Sequence, residues 1–369
     1  MKAGIVTPIS GGIIKATASN QQAHRMLICA SLADKETYIQ CNETSDDLYT
    51  AMESLNNTGA KIRYDGGGFE VKPIRLPSAT EASAPFTGVN KNGVLTLSGE
   101  NAYQSLSGLL PALALLKTDT VIVVEGREEL KAKTYMTIDA MELFGVKVER
   151  EARDDGGIAY KVAGNQKYIS PGTIKIEGDW TNAAIWLCAA AIGGEGVICS
   201  DLNRFSRQSD KEIVNILERF GAIVAYKGDS VAVRRSNLRS IRIDVAEIPE
   251  LVPMLAVVAA ATQGQNVIYN AARVRLGESG FLHTISSTLN ELGADVVENS
   301  DGLIINGKQR LKGGIVSSLG DHRIVMMTAI ASGVCEDTVA IKDAGAVSKS
   351  YFGFFEDFEK LGGKVINSM

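Results

Sequence analysis

Residues 321–365 are DHRIVMMTAIASGVCEDTVAIKDAGAVSKSYFGFFEDFEKLGGKV. An apolar segment entered by the polar triplet DHR is followed by a β-branched run, TVAIKDA, and then by an amphipathic run that closes at Gly363 before a second β-branched run. This order predicts a strand–helix–strand–helix unit in which the apolar helix is buried and the amphipathic helix lies on the surface.

The amphipathic half of this pattern occurs five times along the chain. Its closing glycines fit a helix C′ position with positive φ, and 70 to 86 residues separate each from the next: Gly59, Gly145, Gly221, Gly293 and Gly363. Helix start signals precede three of them, at Ser45-Asp46-Asp47, Ser209-Asp210 and Ser348. Five copies at a near-constant period predict an array of repeated α/β units.

The apolar half of the pattern also occurs five times, in register with the first. These segments are apolar on nearly all sides and are therefore predicted to be interior helices: 23–33, 102–116, 181–194, 248–262 and 321–333. The stretch 65–92 interrupts the pattern because it is rich in Gly, Pro, Ser and Ala, which predicts a loop or linker.

Length and composition limit the class of protein. A chain of 369 residues is too long for one ordinary core, so we expect two domains. The formal net charge of −5 argues against a general nucleic-acid binder, and any anion site must be local. The five cysteines are scattered without a CxxC pair, and no apolar run is long enough for a signal peptide or a membrane span. We expect a cytoplasmic protein with reduced thiols and no membrane association.

The interior helices all present their first turns to one side, and those turns carry the unusual polar residues. Unbonded N–H groups and the helix dipole make such turns anion sites. Arg25 and Arg323 are the strongest candidates for binding an anion, because a charge beside a buried segment needs a partner. For Asp321, His322 and Thr181, capping or a structural network remains open as the alternative role.

Motifs for nucleotide, hydrolase and zinc-protease sites are absent from the sequence, which has no GxGxxG after a strand, no GxxxxGK[ST], no GxSxG and no HExxH. We therefore expect no cofactor and no metal ion.

Several motifs in order resemble the 5-enolpyruvylshikimate 3-phosphate synthase family. They are AHRMLICASLAD with SDDLYTAMESL, SPGTIKIEGDWTNAA with QSDKEIVNILERFGA, IPELVPMLAVVAAATQG with IYNAARVRLGES, and DHR with the segment that follows it. The resemblance implies an inverse α/β fold of two domains built from βαβαββ units. One domain is expected to combine 1–18 with 205–369 in three units, and the other to span 19–204 in two units with the linker 65–92. The family normally has six units, whereas this chain shows five.

The resemblance also implies roles for individual residues. Arg25 matches the arginine that meets the shikimate carboxylate, and Gln104 matches the glutamine against the shikimate ring. Arg323 and Lys349 match two cations of the enolpyruvate pocket. Glu278 matches a proton-transfer residue, and His322 lies within the DHR motif.

Other positions depart from the family pattern. Glu250 stands for the aspartate that acts on the 5-hydroxyl. Polar residues replace others at four positions of the substrate site: Asn20 for Lys, Gln21 for Ser, and Thr181 and Asn182 for a Ser pair. Three family cations are therefore lost, at Asn20 (Lys), Gly277 (Lys) and Phe281 (Arg).

Two functions follow from the resemblance. The first is transfer of the enolpyruvyl group of phosphoenolpyruvate to the 5-hydroxyl of shikimate 3-phosphate, with release of phosphate, by a monomer acting on small molecules. The alternative is a catalytically impaired or repurposed relative that binds a small carboxylate in the cleft between domains.

Overall fold

The computed structural model describes residues 2–75, 94–98, 102–125, 131–154, 157–272, 274 and 280–368. The chain forms two compact units: unit 1 is Met1–Thr17 with Glu177–Met369, and unit 2 is Ala18–Ile176. The second crossing between units falls at 176/177, whereas sequence analysis set it near 204. Residues 177–204 lie in unit 1 because Val197–Ser200 pairs in parallel with Gly12–Lys15, near the start of the chain.

Each sheet in the described part of the chain has four strands in one recurring arrangement. A parallel pair at one edge is followed by two strands that each run antiparallel to their neighbour. Unit 1 contains three such sheets. In spatial order their strands are β18 (Gly314–Ser317), β19 (Val339–Lys342), β1 (Lys2–Thr7) and β20 (Lys364–Ser368); β2 (Gly12–Lys15), β11 (Val197–Ser200), β13 (Ser230–Arg234) and β12 (Ile223–Lys227); and β14 (Arg242–Asp244), β15 (Gly264–Tyr269), β17 (Leu303–Gly307) and β16 (Val296–Glu298).

Unit 2 contains two sheets of the same kind. Their strands are β10 (Thr173–Lys175), β3 (Thr37–Gln40), β5 (Gly68–Lys72) and β4 (Lys61–Tyr64), and β6 (Val94–Leu97), β7 (Thr120–Val124), β9 (Ile158–Val162) and β8 (Glu149–Ala152). The described residues therefore form five repeats, three in unit 1 and two in unit 2, which confirms the predicted α/β class and the number of repeats.

Three apolar helices form the centre of unit 1, and each packs against the other two. They are Trp180–Ile192, Val252–Ala260 and His322–Ala331. All nine residues of the second are buried, as the apolar sequence VPMLAVVAA predicts. Three amphipathic helices bury only one face and lie outside these three: Ile213–Phe220, Phe281–Glu291 and Phe354–Lys360.

Unit 2 places its helices differently. They are Asn20–Ser31, Asp46–Asn57, Ala102–Leu113 and Lys131–Leu143. The last one ends before Gly145 and was predicted to be a surface helix, but it packs against both Asn20–Ser31 and Ala102–Leu113. The prediction was wrong for this helix because KAKTYMTIDAMEL spreads small and apolar residues around the helix, and six of them are buried.

Most of the predicted helix ends are confirmed. Gly59, Gly145, Gly221 and Gly293 have φ of 106°, 80°, 102° and 92°. The fifth closing glycine is Gly362, with φ of 87°, and not Gly363.

Two local predictions need correction. Ser348 does not start a helix: it lies in the 3-10 turn Ala344–Lys349, and the next helix begins at Phe354. Within the proposed linker, residues 68–72 form a strand paired on both sides, while residues 76–93 lie outside the described part of the chain.

Candidate functional site

Asp321 caps helix His322–Ala331 and holds the side chain of Arg323 at its N-terminus. Asp321 has extended backbone, and its Oδ1 accepts a hydrogen bond from the backbone N–H of Arg323 at 2.8 Å. The Arg323 guanidinium donates to the same carboxylate through Nε (3.1 Å to Oδ1) and Nη2 (2.7 Å to Oδ2). This two-pronged pairing fixes the plane of the guanidinium. Arg323 is therefore paired with its own helix cap, the alternative that the sequence left open.

Two more side chains surround the Arg323 guanidinium. Its Nη1 donates to Oε2 of Glu250 at 3.3 Å. The ring of Phe281 lies over the guanidinium, with 3.7 Å between Cζ and the ring centroid, a cation–π contact. Phe281 is buried, at 6% exposure. One cation thus faces two carboxylates and an aromatic ring, so the group carries an excess of negative charge.

The ion pair changes the titration of both partners. Burial alone raises the pKa of the Asp321 carboxyl, but hydrogen bonds and charge from Arg323 outweigh it and hold that pKa below its usual range. Burial alone lowers the pKa of Arg323, but Asp321 and Glu250 together raise it above its usual value. Both groups are therefore charged near neutral pH.

His322 and Lys349 lie on elements that pack together, helix His322–Ala331 and the turn Ala344–Lys349. The Nδ1 of His322 is 3.9 Å from Oδ1 of Asp321, which is too long for a hydrogen bond. Lys349 is exposed, and its ammonium has no hydrogen-bond or ion-pair partner among the described residues. It is therefore a cation able to pair with an added anion.

Thr181 and Asn182 lie in the first turn of helix Trp180–Ile192, where Asp179 accepts a hydrogen bond from the backbone N–H of Asn182 (2.8 Å). The Asn182 side chain donates to Oγ1 of Thr17 at 3.0 Å. The Thr181 hydroxyl donates to the carboxylate of Asp210, which is buried. Both side chains are thus tied to partners within unit 1.

Arg25 is the corresponding cation of unit 2. Its Nε donates to Oγ1 of Thr137 (2.9 Å) and its Nη1 to the carbonyl of Gln21 (2.7 Å). Its Nη2 lies 3.4 Å from Oγ of Ser107 and 3.2 Å from the carbonyl of Lys133. All four partners are neutral, and no carboxylate contacts Arg25 within the described residues. Burial lowers its pKa to about 10, so it remains charged at neutral pH.

A half-buried guanidinium without an acidic partner is suited to bind an anion, because its charge is not compensated within the described part of unit 2. The guanidinium also has one more N–H than these four bonds use. Arg25 therefore gives unit 2 an uncompensated positive charge and one unused N–H donor.

The remaining predicted site residues divide into two groups. Asn20 accepts a hydrogen bond from the hydroxyl of Ser45 (3.2 Å), which joins the starts of two helices, and Gln21 holds Arg25 through its carbonyl. Gln104 lies in helix Ala102–Leu113, but its side chain is outside the described part of the structure, as is the whole of Glu278.

Sequence reasoning missed the groups that hold the two arginines. Ser107, Thr137 and Lys133 come from two other helices, and Phe281 lies 42 residues before Arg323 in the chain. A weak signal existed for Thr137, which lies four residues after Lys133 and so on the same side of its helix. Nothing in the local pattern at Phe281 indicated an arginine partner.

Within the described residues, no group of three or more His, Cys, Asp or Glu side chains is placed to hold a metal ion. No helix in the same residues has the length and apolar character needed to cross a membrane.

Residues 78–358 match the family model for EPSP synthase (3-phosphoshikimate 1-carboxyvinyltransferase), which is more than half of the chain. The chain belongs to the EPSP synthase family. A curated 3-phosphoshikimate 1-carboxyvinyltransferase from Clostridium perfringens (strain SM101) is 34% identical over 98% of this chain and 99% of that protein. A protein of the same name from Clostridium acetobutylicum is 37% identical over 90% of this chain and 80% of its own length.

Solved structures agree on the fold. The EPSP synthase of Acinetobacter baumannii aligns over 100% of both chains with a TM-score of 0.70 at 17% identity. The enolpyruvyl transferase NikO of Streptomyces tendae aligns over 100% of this chain and 98% of its own with a TM-score of 0.77 at 15% identity. The predicted enolpyruvyl transferase fold is confirmed.

The C. perfringens relative is longer than this chain. Its alignment spans 425 positions, but this chain has 369 residues, so at least 56 positions (425 less 369) have no counterpart here.

Proposed function

We propose that this member of the EPSP synthase family is a 3-phosphoshikimate 1-carboxyvinyltransferase. It transfers the enolpyruvyl group of phosphoenolpyruvate to the 5-hydroxyl of shikimate 3-phosphate and releases phosphate. The observation that carries the proposal is the 34% identity to a curated enzyme of that name over 98% of the chain. Both substrates are small anions, which suits a protein with candidate cations at Arg25, Arg323 and Lys349.

On the shikimate side, Arg25 is proposed to bind the substrate carboxylate. Its uncompensated charge and unused N–H support this role. Gln104 is proposed to lie against the ring. Polar groups from helix starts are proposed to assist with the substrate phosphate and hydroxyls: Asn20, Gln21, Thr181 and Asn182.

On the phosphoenolpyruvate side, Arg323 and Lys349 are proposed to bind the anionic groups. Glu250, Glu278 and His322 are proposed to carry protons. In the first step the 5-hydroxyl oxygen attacks C2 and loses its proton while C3 gains one. In the second step C3 loses a proton and the C2–phosphate bond breaks, which restores the double bond.

Turnover is proposed to be slow. Asn20, Gly277 and Phe281 stand where the family pattern has two lysines and an arginine, and each cation helps to hold developing negative charge. A single well-placed acid–base or electrostatic group is worth roughly 10²- to 10⁴-fold in rate. We therefore expect kcat to lie several orders of magnitude below that of family members that keep these three cations.

The test combines binding and catalysis on the purified protein. Calorimetric titration with shikimate 3-phosphate, with and without phosphoenolpyruvate, is run beside an assay for inorganic phosphate. We expect saturable phosphate release that Arg323→Ala abolishes, while Arg310→Ala, at an exposed arginine, leaves it unchanged. Binding without phosphate release would favour the repurposed relative instead, and no binding of either substrate would overturn the proposal.

We also propose that the protein acts as a monomer. Its net charge of −5 gives like chains a mutual repulsion. Light scattering on the purified protein is expected to give a mass of about 39.3 kDa. Twice that mass would contradict the proposal of a monomer.

A further inference from the structure

We propose that the side chain of Glu250 competes with an anionic substrate for Arg323, so that the substrate binds only when Glu250 moves away. The identity of that substrate, phosphoenolpyruvate, rests on the proposed function. The competition itself rests on the contacts around Arg323.

The two carboxylates on Arg323 are held very differently. Asp321 makes three hydrogen bonds to Arg323, one of them with the backbone N–H at the start of the helix. Removing it would break the helix cap as well as the ion pair. Glu250 makes a single contact of 3.3 Å, its side chain is 34% exposed, and it has no other partner among the described residues. Glu250 is therefore the carboxylate that an incoming anion can displace.

Among the described residues, Glu250 lies beside the in-plane edge of the guanidinium that Asp321 leaves open. Phe281 covers one face of the group, and Asp321 occupies the Nε–Nη2 edge. The other edge in the plane, Nη1–Nη2, is the one that binds a carboxylate end-on. Glu250 lies at the Nη1 corner of that edge.

Charge adds to the steric competition. With Asp321 and Glu250 both present, the group around Arg323 has more negative than positive charge, and an approaching anion meets a like charge at contact distance. The nearby His322 is 3.9 Å from Asp321 and does not offset this when neutral. Removing the Glu250 charge should therefore strengthen the binding of an anion rather than weaken it.

The experiment measures phosphoenolpyruvate affinity by calorimetry for the wild type, Glu250→Gln and Glu250→Asp. Glu291→Gln, which removes the same charge at an exposed site of unit 1, is the control. We expect Glu250→Gln to lower Kd about tenfold, Glu250→Asp to give an intermediate value, and Glu291→Gln to match the wild type. Because Glu250 is also proposed to carry a proton, phosphate release by Glu250→Gln should fall while affinity rises.

Unchanged or weaker binding of phosphoenolpyruvate by Glu250→Gln would overturn the inference. If none of the proteins binds phosphoenolpyruvate, the proposed function fails and pyruvate and inorganic phosphate serve as probes of Arg323 itself. Tighter binding of either probe by Glu250→Gln, lost when Arg323→Ala is added, supports the competition. No gain with either probe refutes it.

Discussion

Asp321 is both the cap of a buried helix and the main partner of Arg323, and its charge should appear in the stability of unit 1. Its pKa is lowered in the folded protein, so the ion pair stabilises the fold above the ordinary aspartate value and is lost as pH falls through the folded value. Asn is also a good N-cap, so Asp321→Asn removes the charge while it keeps the cap. We expect a loss of about 1–3 kcal/mol at pH 7.

Urea unfolding of wild type and Asp321→Asn from pH 7 to pH 3 tests this. The difference between the two stabilities should start to narrow below about pH 4, where the unfolded chain takes up the proton, and should disappear only at a lower pH, where the folded wild-type carboxylate is also protonated. A difference that stays constant over the whole range would contradict the assignment of the charge to Asp321.

The planar guanidinium of Arg25 donates hydrogen bonds to four neutral acceptors, which lie on three helices. Arg25→Lys keeps the charge but has no fork of donors, so several of those acceptors lose their hydrogen bonds. We expect a loss of about 1–3 kcal/mol in stability and loss of shikimate 3-phosphate binding. Arg63→Lys is the control, because Arg63 is 75% exposed and pairs only with Glu70; it should change stability by less than about 0.5 kcal/mol. Wild-type binding by Arg25→Lys would refute the role of Arg25.

The sequence placed both arginines on interior helices, because apolar periodicity is a local signal. Arg323 lies in the first turn as predicted, whereas Arg25 is the sixth residue of helix Asn20–Ser31 and so lies beyond it. Most of their contacts could not be predicted, because three of the four partners of Arg25 lie 82 to 112 residues away in the chain and those of Arg323 lie up to 73 residues away. Such pairs depend on how helices pack, which periodicity does not encode.

Gly221 ends helix Ile213–Phe220, one of the helix ends that the sequence predicted correctly. Gly221 has φ of 102°, and a Cβ there would lie 2.7 Å from the carbonyl oxygen of Asn237. Gly228 has φ of 61°, and a Cβ there would meet nothing within 4 Å. Gly221→Ala therefore adds a backbone clash to the conformational strain that both substitutions share.

We expect Gly228→Ala to destabilise by about 1 kcal/mol and Gly221→Ala by about 2–4 kcal/mol, as measured by urea unfolding. Equal losses for the two variants would mean that the helix end relaxes away from Asn237.

Helix types were harder to predict than helix ends. Lys131–Leu143 carries the same closing glycine as the surface helices of unit 1, yet it packs between Asn20–Ser31 and Ala102–Leu113. The described residues of unit 2 form two repeats, and there this helix contacts the apolar helices of both. A rule derived from the repeats cannot foresee the one unit in which the number of repeats differs.

For the molecule as a whole, the sequence predicted the number of repeats and, within one residue, the point where the chain leaves unit 1, but not the point where it returns. A repeat is recognised from a local sequence pattern, whereas the edge strand of a sheet can come from a distant part of the chain. Gly12–Lys15 supplies the edge beside Val197–Ser200, and Thr173–Lys175 supplies the edge beside Thr37–Gln40. These exchanges set the crossing at 176/177, and no periodicity marks them.

Cysteines lie in both units, and their reactivity depends on how well each unit buries them. All five cysteines are free; Cys335 is half-buried and the other four are buried. Burial raises the pKa of Cys29 and Cys199 to about 12 and that of Cys41 and Cys335 to about 11, and it also raises the pKa of Cys188. Because the thiolate is the reactive form, raised pKa and burial both slow the reaction.

We therefore expect a disulfide reagent at pH 8 to modify Cys335 first in the native protein and the other four only as the chain unfolds, whereas all five should react at once in denaturant. Cys335→Ser should remove the early phase of the thiol reaction and leave the slow part. The slow part should divide into one phase for each unit that unfolds separately, since Cys29 and Cys41 lie in unit 2 and Cys188 and Cys199 in unit 1. Rapid modification of Cys29 and Cys41 alone would show that unit 2, with its two repeats, opens while unit 1 stays folded.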